Sequence, residues 1–421
     1  MFQFLSSAWA LLLGMMLLMV GNGIQSTLLG IRGEIEGFST FEMSLVMSAY
    51  FIGFLGGSRM ASDMIRRVGH VRVFAALASF ISAVIILYPT FANPWLWIVG
   101  RVIIGFCFSG VYVTAESWLN NAATNETRGQ ALSLYVIVQM IGLITAQAIM
   151  VTADPSGYVL FVIPSVLVSI SFAPILLSIS PTPAFEATKP MSLKDLVKSS
   201  PLGAMGMFLL GGVFSAQFGM SAVYAASIGM SVKDIAIFVA AFYVGATVIQ
   251  YPLGWLSDRM DRRVLIMVAG LVGGLGAMLG IVMGTNFWML VCAATLVGGF
   301  SNPLYSLLIA HTNDFLDHED MAAASGGMVF INGVGAIAGP ILTGWIMGVF
   351  GPSGFFLFLA ILMLAIAGYS AYRMTRRATV AVEDTAAYAP VLPTSSPVAV
   401  EVAQEFAIET ALEEEELENT Q

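Results

Sequence analysis

Twelve hydrophobic stretches of roughly membrane-spanning length follow one another between Ala8 and Tyr372, and they decide what the chain can become. Backbone amides in lipid must be satisfied within each segment, so each stretch is expected to be a helix. The expected spans are about 8–30, 42–62, 71–91, 94–118, 129–151 and 157–179, then 202–227, 232–256, 263–284, 286–311, 321–349 and 352–373. With 58% hydrophobic and 10% charged residues, the composition exceeds what a soluble core of 421 residues requires. The uncharged run 1–31 lacks a basic leader and a cleavage site, so it is expected to be the first span.

Charge gives the orientation. Arg66, Arg67, Arg72, Arg128, Lys189, Lys194, Lys198, Arg259, Arg262, Arg263, Arg373, Arg376 and Arg377 fall in alternate loops on one side, with Arg59 near it; Arg32 and Lys233 lie opposite. Basic loops stay in the cytoplasm, which places both termini there. The loop 314–320 is acidic where basic residues are expected, although acids weigh little in this rule. The formal net charge of -9 belongs to the tail: ten of the 26 acids lie in 378–421, which has no Lys or Arg, leaving 16 acids against 17 basic residues elsewhere. Four parts follow: an amino-terminal bundle over 1–179, a cytoplasmic linker over 180–200, a carboxyl-terminal bundle over 201–377, and an acidic tail over 378–421. The linker carries Pro181, Pro183 and Pro190 and a short amphipathic piece at 191–198.

The two halves repeat. Gln25 matches Gln217 and Arg67 matches Arg259 at a shift of 192, while Gly105 matches Gly298, Tyr112 matches Tyr305 and Gly142 matches Gly335 at 193. A loop reading RRVGHVRV at 66–73 follows the second stretch, and GWLSDRMDRR at 254–263 follows the eighth. Together these features resemble the major facilitator superfamily, whose loop signature is roughly GxxxDRxGRR. Gly254, Asp258, Arg259, Arg262 and Arg263 fit it, with Asp261 where the family usually has glycine. In the first half Arg67, Gly69 and His70 fit loosely, Asp63 is displaced and Arg59 takes the opening glycine position. The segments 100–120 and 128–142 are similar to the YcaD-type transporters of bacterial inner membranes. The resemblance implies an all-α membrane fold of two pseudo-symmetric six-helix bundles working by alternating access.

Candidate functional residues sort by place. Asp258, Arg259, Arg262 and Arg263, with Arg66 and Arg67 in the first half, are expected to form a latch at the cytoplasmic helix ends, or a topology signal with a solvated ion pair. Arg101 lies about 10 Å below the outer surface, and buried charges usually face an interior cavity. With Gly105 it resembles the RxxxG of the family's fourth helix, which is associated with proton coupling; the alternative is an arginine reaching the outer interface or helix carbonyls. Glu116, about 22 Å deeper, neutralises Arg66, Arg67 or Arg128 in the latch, or exchanges a proton. Asn22, Gln25, Tyr112, Gln139, Gln217, Tyr224, Asn302, Tyr305 and Asn332 are expected to line a central cavity, each alternatively bonding helix to helix. With one cation among amides and phenols, a neutral, zwitterionic or amphipathic small solute is favoured.

Glycines four apart (Gly53 and Gly57, Gly270 and Gly274, Gly276 and Gly280, Gly335 and Gly339) read as packing seams. Cys107 and Cys292, both inside apolar stretches, read as small buried thiols and not as a disulfide or metal ligands. The segment GAIAGPILTG at 335–344 resembles an antiporter signature, but that signature belongs in helix five, so no motif supports efflux. Neither a nucleotide loop nor zinc-type spacing occurs, so no enzyme activity, cofactor, metal or nucleic-acid partner is expected. The expected protein is a monomeric, multi-pass transporter of the bacterial inner membrane, moving a small organic solute with proton coupling; the rival reading is a non-transporting sensor on the same fold. In the tail, Pro390, Pro393 and Pro397 predict disorder, and Val402, Phe406, Ile408 and Leu412 mark a weak helix that is expected to stay solvated.

Overall fold

Short polar caps set where the apolar helices begin. Ser39 and Glu42 form a reciprocal capping box, and Asn93, Ser192, Ser231, Asp261 and Asn286 each accept backbone N–H groups of the first turn. The structure, a computed structural model, describes residues 2–124, 127–174, 191–377, 380–381 and 385–419. Its first half comprises α1 (Phe2–Ile35), α2 (Thr40–Val68), α3 (His70–Thr90), α4 (Pro94–Ala122), α5 (Arg128–Met150) and α6 (Val159–Ser171). A linker helix α7 (Leu193–Ser199) covers the amphipathic piece. The second half comprises α8 (Pro201–Ser215), a π turn (Ala216–Met220), α9 (Ser221–Ser227), α10 (Val232–Ser257), α11 (Arg262–Val282), α12 (Phe287–Asn313), α13 (His318–Phe350) and α14 (Gly354–Met374). The last helix is α15 (Pro397–Asn419).

Among the described residues, 11 helices, counting α8, the π turn and α9 as one, are long and apolar enough to cross a membrane. The sixth stretch appears as the 13-residue α6, and the end of its expected span, 175–179, lies outside the described residues. Outward faces carry exposed apolar side chains such as Phe80, Val99, Val248, Leu275 and Ile361, as lipid contact requires; Cys107 is buried, but Cys292, expected to be buried too, is exposed.

The repeat is written in the packing. A Cβ added to Gly53 would stand 1.9 Å from the Val102 carbonyl oxygen, and one on Gly105 1.9 Å from that of Tyr50, so α2 and α4 touch through their backbones. In the second half a Cβ added to Gly245 would stand 2.2 Å from the Thr295 oxygen and one on Gly298 2.2 Å from that of Phe242, making the same seam between α10 and α12. Gly142 faces the Met16 oxygen between α5 and α1, and Gly335 that of Phe208 between α13 and α8. Only glycine leaves room for backbones this close.

The halves meet along one side. Ser48 on α2 donates to the Ile337 carbonyl at 2.6 Å, Ser26 on α1 to that of Phe218 at 3.4 Å, and Gly30 packs on Ala222. Toward the basic end they are separated by the tail, which corrects the expected solvated segment. Val391, Leu392, Ser396, Val400 and Gln404 are 0–3% exposed. Pro390, Pro393 and Pro397, expected to mark disorder, lie in an ordered segment that turns at 393–394, closed by the Ser395 N–H on the Leu392 carbonyl at 2.9 Å, before α15 begins at Pro397. Val402 is buried and Phe406 packs on Gly129, while the Leu412 side chain lies outside the described residues.

Candidate functional site

The inward polar residues separate into bonded and unbonded sets. Asn332 donates to the Met207 carbonyl at 3.0 Å, Asn302 to that of Gly298 at 3.1 Å, and Gln217 to the Ser301 hydroxyl at 2.7 Å. These serve helix contacts. Tyr224 stacks on Phe355 at 4.9 Å within the second bundle's aromatic core. By contrast, both side-chain polar atoms of Asn22 and of Gln25, the Gln139 amide nitrogen and the Tyr305 hydroxyl are buried without a partner among the described residues. Tyr112 donates to the Met19 sulfur at 3.4 Å and also faces Asn22 and Tyr50. A buried unsatisfied polar group costs about 1–3 kcal/mol, so each of these side chains has bonding capacity that a water or a bound solute can meet.

Tyr50 joins this cluster and was not foreseen. Its hydroxyl faces Asn22 and Tyr112 but makes no well-formed hydrogen bond among the described residues, and its ring contacts Phe218 of the π turn at 5.7 Å, across the two halves. Nothing in the second stretch marked it except its polarity amid apolar neighbours. The π turn holds Gln217, the repeat partner of Gln25, and such turns concentrate at functional sites.

Arg101 is fully buried beside Tyr50. The guanidinium carbon lies 4.7 Å from the Tyr50 ring centroid and Nη2 is 3.8 Å from the Met47 sulfur, while Nε and Nη1 have no partner among the described residues. It therefore does not reach the outer interface, and no described carboxylate neutralises it.

Glu116 is equally buried, yet the expected latch with Arg66, Arg67 or Arg128 is corrected. Its partners are the Tyr135 hydroxyl at 3.2 Å, the Ser396 backbone N–H at 3.0 Å and the Ser396 hydroxyl, so it caps the start of α15. Arg128 turns instead to Glu405 and Glu409 of the tail. Arg101 and Glu116 remain about four turns apart on α4 and are not brought together.

The signature loop of the second half is a buried network. Arg262, 1% exposed in its side chain, pairs with Asp314, which is 4% exposed, and lies 3.6 Å from Asp258. It also donates to Ser257 at 3.0 Å, the Ala310 carbonyl at 3.2 Å and the Ala386 carbonyl. Asp314 thus explains the acidic loop, since it neutralises a buried arginine from the end of α12. Arg263 holds Asp261 through two bonds of 2.7 and 3.1 Å, and Arg259 lies over the Trp255 ring at 4.3 Å. Burial raises the Asp258 carboxyl above its usual range, opposed by the Tyr388 N–H and by Arg262. In the first half Arg66 pairs with Asp63 in an exposed contact and Arg67 is exposed; neither reaches the second-half loop.

The model of the Major Facilitator Superfamily matches residues 11–233 and again 203–397. The chain belongs to the Major Facilitator Superfamily. The MFS-type transporter YcaD of Salmonella arizonae is 26% identical over 354 residues, 83% of this chain and 91% of the relative, and that of Escherichia fergusonii is 24% identical over the same shares. The fold is similar to that of the nucleoside transporter NupG (TM-score 0.75, 15% identity, 86% of this chain and 98% of that one). It is also similar to a bacterial homologue of the human lysosomal transporter Spinster, inward-facing and unoccupied (TM-score 0.68, 14% identity, 96% and 98%). This facilitator is a multi-pass membrane transporter.

Proposed function

We propose that the chain is a secondary active transporter that moves a small organic solute by alternating access, coupled to protons, in the bacterial inner membrane. Its basic face and both termini are cytoplasmic, and it works as a monomer. One observation carries this reading: Asn22, Gln25, Tyr50, Arg101 and Gln139 of the first half and Tyr305 of the second are buried with polar atoms unbonded among the described residues, and Arg101 is a buried cation with no described counter-charge. A solute that supplies donors, acceptors and one anionic group satisfies them together, so among neutral, zwitterionic and amphipathic solutes a zwitterion fits best. Glu116 is the proposed proton carrier, because its carboxyl is held without any cation, by the Tyr135 hydroxyl of its own bundle and by the N–H and hydroxyl of Ser396 in the tail, which ties its environment to the position of the tail. The buried network of Asp258, Arg259, Arg262 and Arg263 gates the same face, and Arg66 and Arg67 do so from the first half.

The test is a thermal-shift screen of zwitterionic and neutral metabolites, followed by counterflow and proton-driven uptake of any hit in proteoliposomes. Arg101→Gln should abolish both, and Glu116→Gln should abolish proton-driven uptake while sparing counterflow. Binding with no counterflow would establish the sensor instead, and unchanged proton dependence in both variants would remove the coupling assignment.

A further inference from the structure

We infer that residues 385–410 are an intramolecular plug: docked in the cleft at the basic end, they hold the two bundles in one orientation and close the polar cluster from that side. This rests on the alternating-access reading for its consequence, although the docking itself does not.

The segment is bonded to both halves in succession. The Tyr388 N–H donates to Asp258 at 3.0 Å and its hydroxyl accepts from Gln250 of α10 at 2.8 Å. Val391 exchanges two bonds with the Ser306 hydroxyl of α12, at 2.8 and 2.9 Å. The chain then crosses beneath the centre, where Pro393 and Thr394 close a small cavity lined by Tyr50 and Phe54 of α2, Phe214 of α8 and Val329 and Asn332 of α13. Ser396 reaches Glu116 on α4 in the first half, and Gln404 returns to Asn313 of α12 at 3.0 Å. Glu405 and Glu409, one turn apart, reach Arg128 at the start of α5.

Chemistry fits the segment to the cleft at each step. A carboxylate at the first turn of α15 satisfies free N–H groups and meets the positive end of the helix. Ala399, Val400, Ala403 and Ala407 give the helix a narrow apolar face, all buried, and the acids lie on the side of a basic loop. The consequence is mechanical. A segment fastened to α4 and α5 on one side and to α10 and α12 on the other cannot follow both when the bundles tilt apart or together, so the docked state is compatible with one of the two access states. The tail must leave for the cycle to turn.

The test needs no solute. In detergent-solubilised protein with Cys107 and Cys292 replaced by serine, Val329→Cys is labelled with a hydrophilic maleimide, in the full chain and in a chain ending at residue 384. The plug predicts labelling at least about tenfold faster without the segment, the factor by which the undocked population would rise. Equal rates would overturn it. Because truncation can impair folding, a second variant keeps the tail: Val391→Cys with Ser306→Cys should cross-link under mild oxidation, and absence of the cross-link would also overturn docking. In liposomes the cross-linked protein should lose counterflow and regain it on reduction; counterflow that survives the cross-link would leave docking intact and refute the block.

Discussion

Replacing Arg262 tests what the signature loop does. Arg262→Gln leaves Asp314, 4% exposed, without its cation and strips donors from two carbonyls. Removing one partner of a buried pair costs about 3–5 kcal/mol, because the surviving charge keeps its desolvation penalty. The comparison is Arg66→Gln in the first half, where the pair with Asp63 is 52% and 60% exposed and is worth under about 1 kcal/mol. The pH dependence identifies the cause. Burial already holds Asp314 above the usual carboxylate range, with Arg262 pulling it down. Without Arg262 it rises further, so the folded state keeps this proton to a higher pH than the unfolded chain, and stability grows as pH falls through the folded-state value. The defect of Arg262→Gln should therefore be largest at neutral pH and shrink toward acid, whereas a packing defect would not titrate. Denaturant unfolding in micelles, followed by tryptophan fluorescence across pH, measures this. Equal costs for the two variants, or a pH-independent loss, would refute the reasoning.

The glycine seams predict a matched pair: Gly105→Ala and Gly298→Ala place a methyl about 2 Å from facing carbonyl oxygens and should each cost about 1–3 kcal/mol or more. Gly368→Ala, which meets nothing within 4 Å on α14, should be neutral or stabilising by up to about 1 kcal/mol in the same denaturant assay. Replacing Glu405 and Glu409 together by glutamine should speed maleimide labelling of Val329→Cys, but less than truncation does, since their side chains are 39% and 24% exposed where they meet Arg128.

Much of the fold was legible because lipid leaves the backbone few choices, so apolar length alone placed the helices. The 192–193 shift was legible for the same reason that the seams exist: Gly105 and Gly298 are held at equivalent places by a backbone approach that no other residue permits. The candidate site was legible as a list and not as a set. Asn332 and Asn22 look alike in sequence, yet one is spent on the Met207 carbonyl and the other makes no well-formed bond among the described residues, and only helix packing decides which. The tail was misread because its acids and prolines were weighed against a membrane surface, with no account of the cleft. Its partners Glu116, Ser306 and Arg128 lie 85 to 281 residues earlier, out of reach of any local pattern.

The central claim is that two bundles rock about the polar cluster, so its faces must open in opposition. In a cysteine-free chain ending at residue 384, spin-label pairs at Arg72 and Arg376 across the basic end, and at Glu34 and Lys233 across the other, report both faces by pulsed electron resonance; Arg72, Arg376, Glu34 and Lys233 are all exposed. Changing the pH should lengthen one distance while it shortens the other, with inversely related populations. Two distances that stay fixed, or that lengthen together, would contradict the account.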